Sequence, residues 1–178
     1  NDMLLILSAY LLGSIPFGVL VGRHTGIDPR QGGSRNIGAT NVARLMGWKW
    51  GLLVLALDIG KGISAVCLVQ TDNVNLMSMA AFAAALGHCY SIFLEGKGGK
   101  GVASAGGVLL YFAPMVFLYT FCVWIVIKFL LNKASMASLG ATIFALCLVW
   151  TAYSFLLSLV AAMTLLIIWR HKENLSRL

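Results

Sequence analysis

The chain has 178 residues, 60% of them hydrophobic and 11% charged, with a formal net charge of +7. Soluble domains carry about 25% charged residues, so this composition excludes an ordinary water-soluble domain and points to an integral membrane protein built as one unit over residues 1–178. The basic residues lie in short segments between apolar blocks, which fits membrane topology and argues against a nucleic-acid partner.

Residues 3–22 form the first apolar block. It lacks a charged leading region and carries Pro16 late within it, so it is expected as a retained first span and not as a signal peptide. Residues 23–50 form a polar, glycine-rich loop with room for a short helix. A second span is expected at 52–70, a tight connection at 71–73 and a third span at 74–94. Residues 102–131 exceed the ~20 residues that cross ~30 Å of hydrocarbon. Pro114 disfavours one continuous helix, which divides the block into spans ending at Phe112 and starting at Ala113. Residues 134–169 are also too long for one crossing, and a turn near 150–154 is expected. The sum is an all-α, polytopic bundle of seven transmembrane helices.

Charge placement orients it. With the N-terminus outside and the C-terminus cytoplasmic, the inner side receives Arg23, Arg30, Arg35, Arg44, Lys49, Lys97, Lys100, Lys133, Arg170, Lys172 and Arg177. The outer connections receive no lysine or arginine, as the positive-inside rule requires. Cys67, Cys89, Cys122 and Cys147 fall within apolar stretches and read as buried thiols.

All the chemistry-bearing segments are then on one side. Residues 95–101 (EGKGGKG) combine Lys97 and Lys100 with Gly98, Gly99 and Gly101 just ahead of a helix start at about Val102. Glycine backbone N–H groups, two ammonium groups and a helix N-terminus suit a phosphate. The plainer reading is a flexible inner loop with positive-inside lysines. The string matches GxGxxG, but no strand precedes it and no acidic residue follows before Glu173, so a dinucleotide site is not indicated. Residues 33–44 (GSRNIGATNVAR) offer Ser34, Asn36, Thr40, Asn41 and Arg44 as hydroxyl, amide and guanidinium donors, or simply turn residues. Asp58 and Lys61, at i and i+3 in an apolar block, read as a local ion pair with Lys61 snorkelling, though Lys61 could also reach a phosphate. His88 reads as a core histidine. His171 follows the last block and shares a helix face with Asn174, where an imidazole could take a proton from a hydroxyl or serve only as a basic flank. No metal-binding motif occurs.

Taken in order, GSIPFG at 13–18, Asp28-Pro-Arg30, Gly33-Ser34, Asn36, Gly38-Ala-Thr-Asn41, Arg44, Asp58-Ile-Gly-Lys61, Gly87-His88, Gly98-Gly-Lys-Gly-Val-Ala103, His171-Lys-Glu-Asn174 and Arg177-Leu178 resemble the bacterial acyl-phosphate:glycerol-3-phosphate acyltransferase family, PlsY. The resemblance implies a seven-span enzyme of the bacterial cell (inner) membrane with its active site facing the cytoplasm. It implies transfer of a fatty acyl group from acyl phosphate to the 1-hydroxyl of sn-glycerol 3-phosphate. The products would be lysophosphatidic acid and inorganic phosphate, in phospholipid biosynthesis. No cofactor and no obligate protein partner are expected, and the chain is expected to be a monomer in membrane lipid.

On this reading Ser34, Arg44, Lys100, His171 and Asn174 are the catalytic candidates. Asn36, Thr40, Asn41, Lys61, Lys97, Gly98, Gly99 and Gly101 join them in binding substrate. Lys100 and the glycine loop would take the acyl phosphate head. Ser34, Asn41 and Arg44 would take glycerol 3-phosphate or the leaving phosphate. Either His171 or a substrate phosphate would accept the proton, with Asn174 orienting substrate or an oxyanion. An acyl-serine at Ser34, a transporter of phosphorylated anions and a membrane phosphatase are the competing readings. No inverted repeat supports the transporter.

Overall fold

The computed structural model describes residues 1–69 and 71–175. Gln70, the expected end of the second span, and Arg177 and Leu178 of the family motif lie outside the described residues. Among the described residues the fold is all-helical: α1 (Asp2–Ser14), α2 (Phe17–Thr25), α3 (Ala39–Met46), α4 (Trp48–Cys67), α5 (Val74–Cys89), α6 (Val102–Phe112), α7 (Pro114–Leu131), α8 (Ala134–Ala152), α9 (Leu157–Arg170) and α10 (Lys172–Leu175), with single 3-10 turns at Ile92–Leu94 and Ser154–Leu156.

The helix breaks have local causes. Pro16 has no N–H and forces its predecessor out of the helical region, so the first apolar block is two helices and not one; Ile15 sits at φ −58°, ψ 117°. The break frees the Ile15 carbonyl, which the Lys61 ammonium takes at 3.0 Å. Pro114 starts α7 at a position where its missing N–H is harmless, after Ala113 has left helical geometry. No proline marks the break at Tyr153, which lies in the expected 150–154 window and has φ −141° and ψ 53°. The side chain of Asn73 caps α5, accepting from the N–H groups of Asn75 and Leu76. The second long helix begins at Trp48, earlier than expected, because Gly47 (φ 95°) ends α3 and lets α4 start directly.

Among the described residues, five helical segments are long and apolar enough to cross a membrane: Asp2–Thr25, Trp48–Cys67, Val74–Leu94, Pro114–Leu131 and Ala134–Ala152. Val102–Phe112 and Ser154–Arg170 are apolar but shorter. Packing follows from small residues. α1 lies on α5, where Gly13 abuts the backbone of Ala84 and Gly87 abuts Tyr10 and Ser14. α4 lies on α6, where Gly62 abuts Ser104 and Gly107 abuts Ile59. Backbones approach this closely only where a Cβ is missing. The main apolar core joins α4, α5, α6, α8 and α9 through Val66, Ala85, Val108, Val149, Met163 and Ile167. α7 buries only Val116 of its 18 residues and turns Phe129, Leu130 and Ile125 outward. An exterior of that kind suits lipid and not water. α7 pairs with α8 through a sharp turn at Asn132 (φ 48°) and through the Trp124 indole N–H, which donates to Ser138 Oγ at 3.1 Å.

Candidate functional site

Two cavities lie side by side where the polar segments meet. One, of about 430 Å3, has a polar end formed by Ser34, Asn36, Thr40, Arg44, Lys100 and His171, and continues between apolar residues of α6, α7 and α8 such as Leu109, Phe117, Phe121 and Ala145. The other, of about 580 Å3, is walled by Arg35, Tyr90, Gly98, Arg170, Lys172 and Glu173. Ser34, Asn36, Lys100 and Asn174 line both. Residues 140 positions apart in sequence thus share one wall, with Ser34 from the first polar loop and Asn174 from the last.

The first polar loop is organised by one side chain. Asn41, on the first turn of α3, is 1% exposed. Its amide nitrogen reaches the carbonyls of Pro29 (2.9 Å), Gly32 (3.1 Å) and Asn36 (2.9 Å). Its Oδ1 accepts from the Ser34 backbone N–H (2.9 Å) and from Arg44 Nη1 (3.0 Å). Arg44 lies one helical turn beyond Asn41, so both face the loop. Gly33 folds tightly over this amide with φ 57°, a conformation glycine adopts without strain. Asn41 is expected to hold a substrate; it does line the first cavity, but its amide is engaged in the loop, where it sets the positions of Ser34 and Arg44.

The glycine loop is built from main chain. Glu95, Gly96 and Gly101 adopt positive φ. The N–H groups of Gly96, Lys97, Gly98 and Gly99 donate to the carbonyls of Ser91, Leu94, Cys89 and His88. Gly98 and Gly99 therefore do not converge on an anion as expected, because the end of α5 takes up their donors. Their carbonyls point the other way and accept from Arg170, at 3.0 Å from Nη2 and 3.1 Å from Nε. Arg170 also stacks over Tyr90 at 4.9 Å. What the loop does present is Lys100, followed by Gly101 and the first turn of α6, all lining the first cavity. Lys100 Nζ donates to Asn174 Oδ1.

His171 is 2% exposed and lines the first cavity. Its Nδ1 lies 2.8 Å from the Ile167 carbonyl. A carbonyl only accepts, so Nδ1 carries the proton and Nε2 is left as the basic nitrogen. Burial, aided by the charges of Lys100 and Arg170, pushes the imidazole down to about 4. It is neutral at physiological pH and able to accept a proton.

Three expected binding residues are elsewhere. Lys97 is exposed and lines neither cavity. Lys61 does not snorkel: it is 4% exposed, pairs with Asp58 at 2.9 Å and lines neither cavity. Gly99 lies behind the cavity walls, against the His88 ring. Conversely, Arg35, Arg170 and Lys172 of the second cavity, and Asp58 and His88 of the first, are not among the expected site residues. Arg35 sits among the polar-loop donors and Asp58, His88 and Lys172 within family motifs, whereas Arg170, at the end of the last apolar block, carries no sequence signal beyond charge.

A family profile described as glycerol-3-phosphate acyltransferase matches residues 3–178. The chain is 45% identical to a protein named glycerol-3-phosphate acyltransferase in Solidesulfovibrio magneticus, over 95% of this chain and 87% of that protein. It is 42% identical to one so named in Aquifex aeolicus, over 99% and 94%. Crystal structures of PlsY, an integral membrane glycerol 3-phosphate acyltransferase, superpose with TM-scores of 0.93 for the glycerol 3-phosphate form and 0.90 for the lysophosphatidic acid form. Both are 40% identical and cover 99% of this chain and 90% of theirs. With a match along nearly its whole length, this chain belongs to the glycerol-3-phosphate acyltransferase family.

Proposed function

We propose that this protein transfers a fatty acyl group from acyl phosphate to the 1-hydroxyl of sn-glycerol 3-phosphate, at the cytoplasmic face of the bacterial inner membrane. The observation that carries this reading is the meeting of two unlike cavities at Ser34, Asn36, Lys100 and Asn174. A donor with an oily tail and an anionic head matches the first, which is apolar along α6 to α8 and cationic at its mouth. A small, wholly polar acceptor matches the second, with its Arg35, Arg170 and Lys172.

In this arrangement Lys100, Arg44 and the N-terminal turn of α6 hold the donor phosphate. The acceptor hydroxyl oxygen attacks the acyl carbonyl carbon at the shared wall. The bond from that carbon to the phosphate oxygen breaks, and inorganic phosphate departs against Lys100 and Arg44. The hydroxyl proton passes to His171 Nε2 or to the leaving phosphate. Two bound phosphates beside His171 would raise its basicity from the depressed value of the empty site. The mixed anhydride is already activated, so positioning two anions and neutralising the leaving group supply most of the acceleration.

The same geometry supports a seven-crossing topology. The first polar loop, the glycine loop, the turn at Asn132 and Lys133, and His171 with Asn174 all border the first cavity. That is the side to which the charge bias assigns the cytoplasm. A monomer without cofactor suffices for this chemistry, since one chain supplies both cavities. The test is phosphate release from acyl phosphate by purified protein, with and without glycerol 3-phosphate. Release that depends on the acceptor, with lysophosphatidic acid formed in equal amount, is the expected result. Acceptor-independent release would mean a phosphatase, and turnover only with a thioester donor would overturn the donor assignment.

A further inference from the structure

At the donor end of the first cavity, which Asp58 and His88 help to line, sits an ionisable trio that the proposed reaction does not use. Asp58 and Lys61 on α4 and His88 on α5 are each no more than 4% exposed. Lys61 Nζ lies 2.9 Å from Asp58 Oδ1 and 3.0 Å from the Ile15 carbonyl freed by Pro16. Asp58 Oδ1 also faces His88 Nδ1 at 3.5 Å. The other edge of the imidazole meets Gly99: a Cβ built there would fall 2.9 Å from His88 Cδ2 and 3.1 Å from Cε1. The His88 carbonyl accepts the Gly99 N–H at 2.9 Å. From the far side, Arg170 grips the Gly98 and Gly99 carbonyls. The next residue is Lys100.

Buried charges are costly unless they are held for a purpose, and a loop carrying a catalytic cation needs a rigid support. We infer that His88, held in place by the Asp58–Lys61 pair, is a positioning residue: its ring is the platform on which Gly99 rests, and it thereby sets where Lys100 meets the donor phosphate. This rests on Lys100 binding the donor, as proposed above. The trio links the α1–α2 break, α4 and α5 to the loop, so a shift in any of them reaches Lys100 through Gly99.

The test is a double-mutant cycle between His88→Ala and Gly99→Ala, with three readouts: melting temperature, kinetic constants for each substrate, and hydrogen exchange at the Gly98 and Gly99 amides. Gly99→Ala leaves the trio intact but lifts the loop off the ring. A misplacement of about 1 Å costs on the order of 100-fold in rate, so kcat/KM for acyl phosphate is expected to fall by about that factor, with the KM for glycerol 3-phosphate changed far less. In the His88→Ala background the new methyl enters vacated space, so the same substitution should cost much less, and the two losses should not add. His88→Ala alone should strip protection from the Gly98 and Gly99 amides. Additive losses, a Gly99→Ala enzyme with wild-type constants, or unchanged exchange would each overturn the inference.

Should His88→Ala fail to fold, Asp58→Leu with Lys61→Met removes both charges together, which a core tolerates better than losing one. That pair should fold, weaken donor binding and loosen the same two amides; normal donor kinetics with full amide protection would sink the idea. If wild-type protein showed no acceptor-dependent release, the reaction assigned above would fall, while the exchange measurement would still decide the role of His88.

Discussion

The two polar loops that meet at the cavities are held in opposite ways. In the first, one buried amide, Asn41, reaches three carbonyls and accepts from two donors, standing in for the secondary structure the loop lacks. In the second, the main chain of the glycine loop bonds to the end of α5, and a cation from the far end of the chain, Arg170, closes it from outside. Five hydrogen bonds converge on one side chain in the first loop, so its shape depends on a single residue. The second spreads its support over backbone bonds, the His88 ring beneath Gly99 and Arg170, so its shape is shared among several contacts.

The largest effects should come where each loop delivers its charge. Lys100→Ala and Arg44→Ala are each expected to lower kcat by about 100- to 1,000-fold, as losing one preorganised charge contact does, with helix content by circular dichroism unchanged. Rates within a few-fold of wild type would remove those residues from the reaction. Next comes Asn41→Ala. Leaving three carbonyls and two donors without a partner, at about 0.5–1.5 kcal/mol per bond, should destabilise the protein by roughly 3 kcal/mol or more and lower activity with it. If thermal unfolding showed no change, the contrast between a one-residue hub and a distributed loop would collapse.

Arg170→Lys sharpens the same contrast. The charge stays, but the two-pronged donation to Gly98 and Gly99 is lost, and a drop of about tenfold in kcat/KM is expected, consistent with ~1–2 kcal/mol for such bonds. His171 predicts a pH dependence. Its folded value of about 4 lies below the ordinary histidine value of 6.5, so the unfolded chain binds the extra proton first. Its contribution to stability is therefore complete above about 6.5 and is lost as pH falls towards 4. Melting temperatures measured from pH 7 to 4 should fall less steeply in His171→Gln than in wild type. The smallest effect belongs to Lys97→Ala: an exposed lysine outside both cavities should leave kcat/KM within about twofold, as surface substitutions usually do. A large loss there would mean the glycine loop binds substrate in another conformation.

Much of the fold is legible in the chain because its causes are local. Apolar blocks must satisfy their backbone as helices, and Pro16 and Pro114 interrupt two of them for want of an N–H. The turn at Tyr153 was visible only as excess length. Lysine and arginine placement led to the expectation that the polar segments lie together, and they do meet around the first cavity. The candidates Ser34, Arg44, Lys100, His171 and Asn174 do come together around the cavities, along with Asn36 and Thr40.

What residue types could not reveal is which polar groups remain for a ligand. Asn41, Gly98 and Gly99 look like donors in sequence, yet each is spent on a partner within the fold. Gly99 meets Arg170 across 71 positions, and Lys61 meets Ile15 across 46. The amino-acid sequence by itself determined the helices and their breaks, since these depend on neighbours a few residues away. Only the tertiary structure decided the commitment of each hydrogen-bonding group, because a donor's partner is set by whatever distant segment packing brings within 3 Å or so.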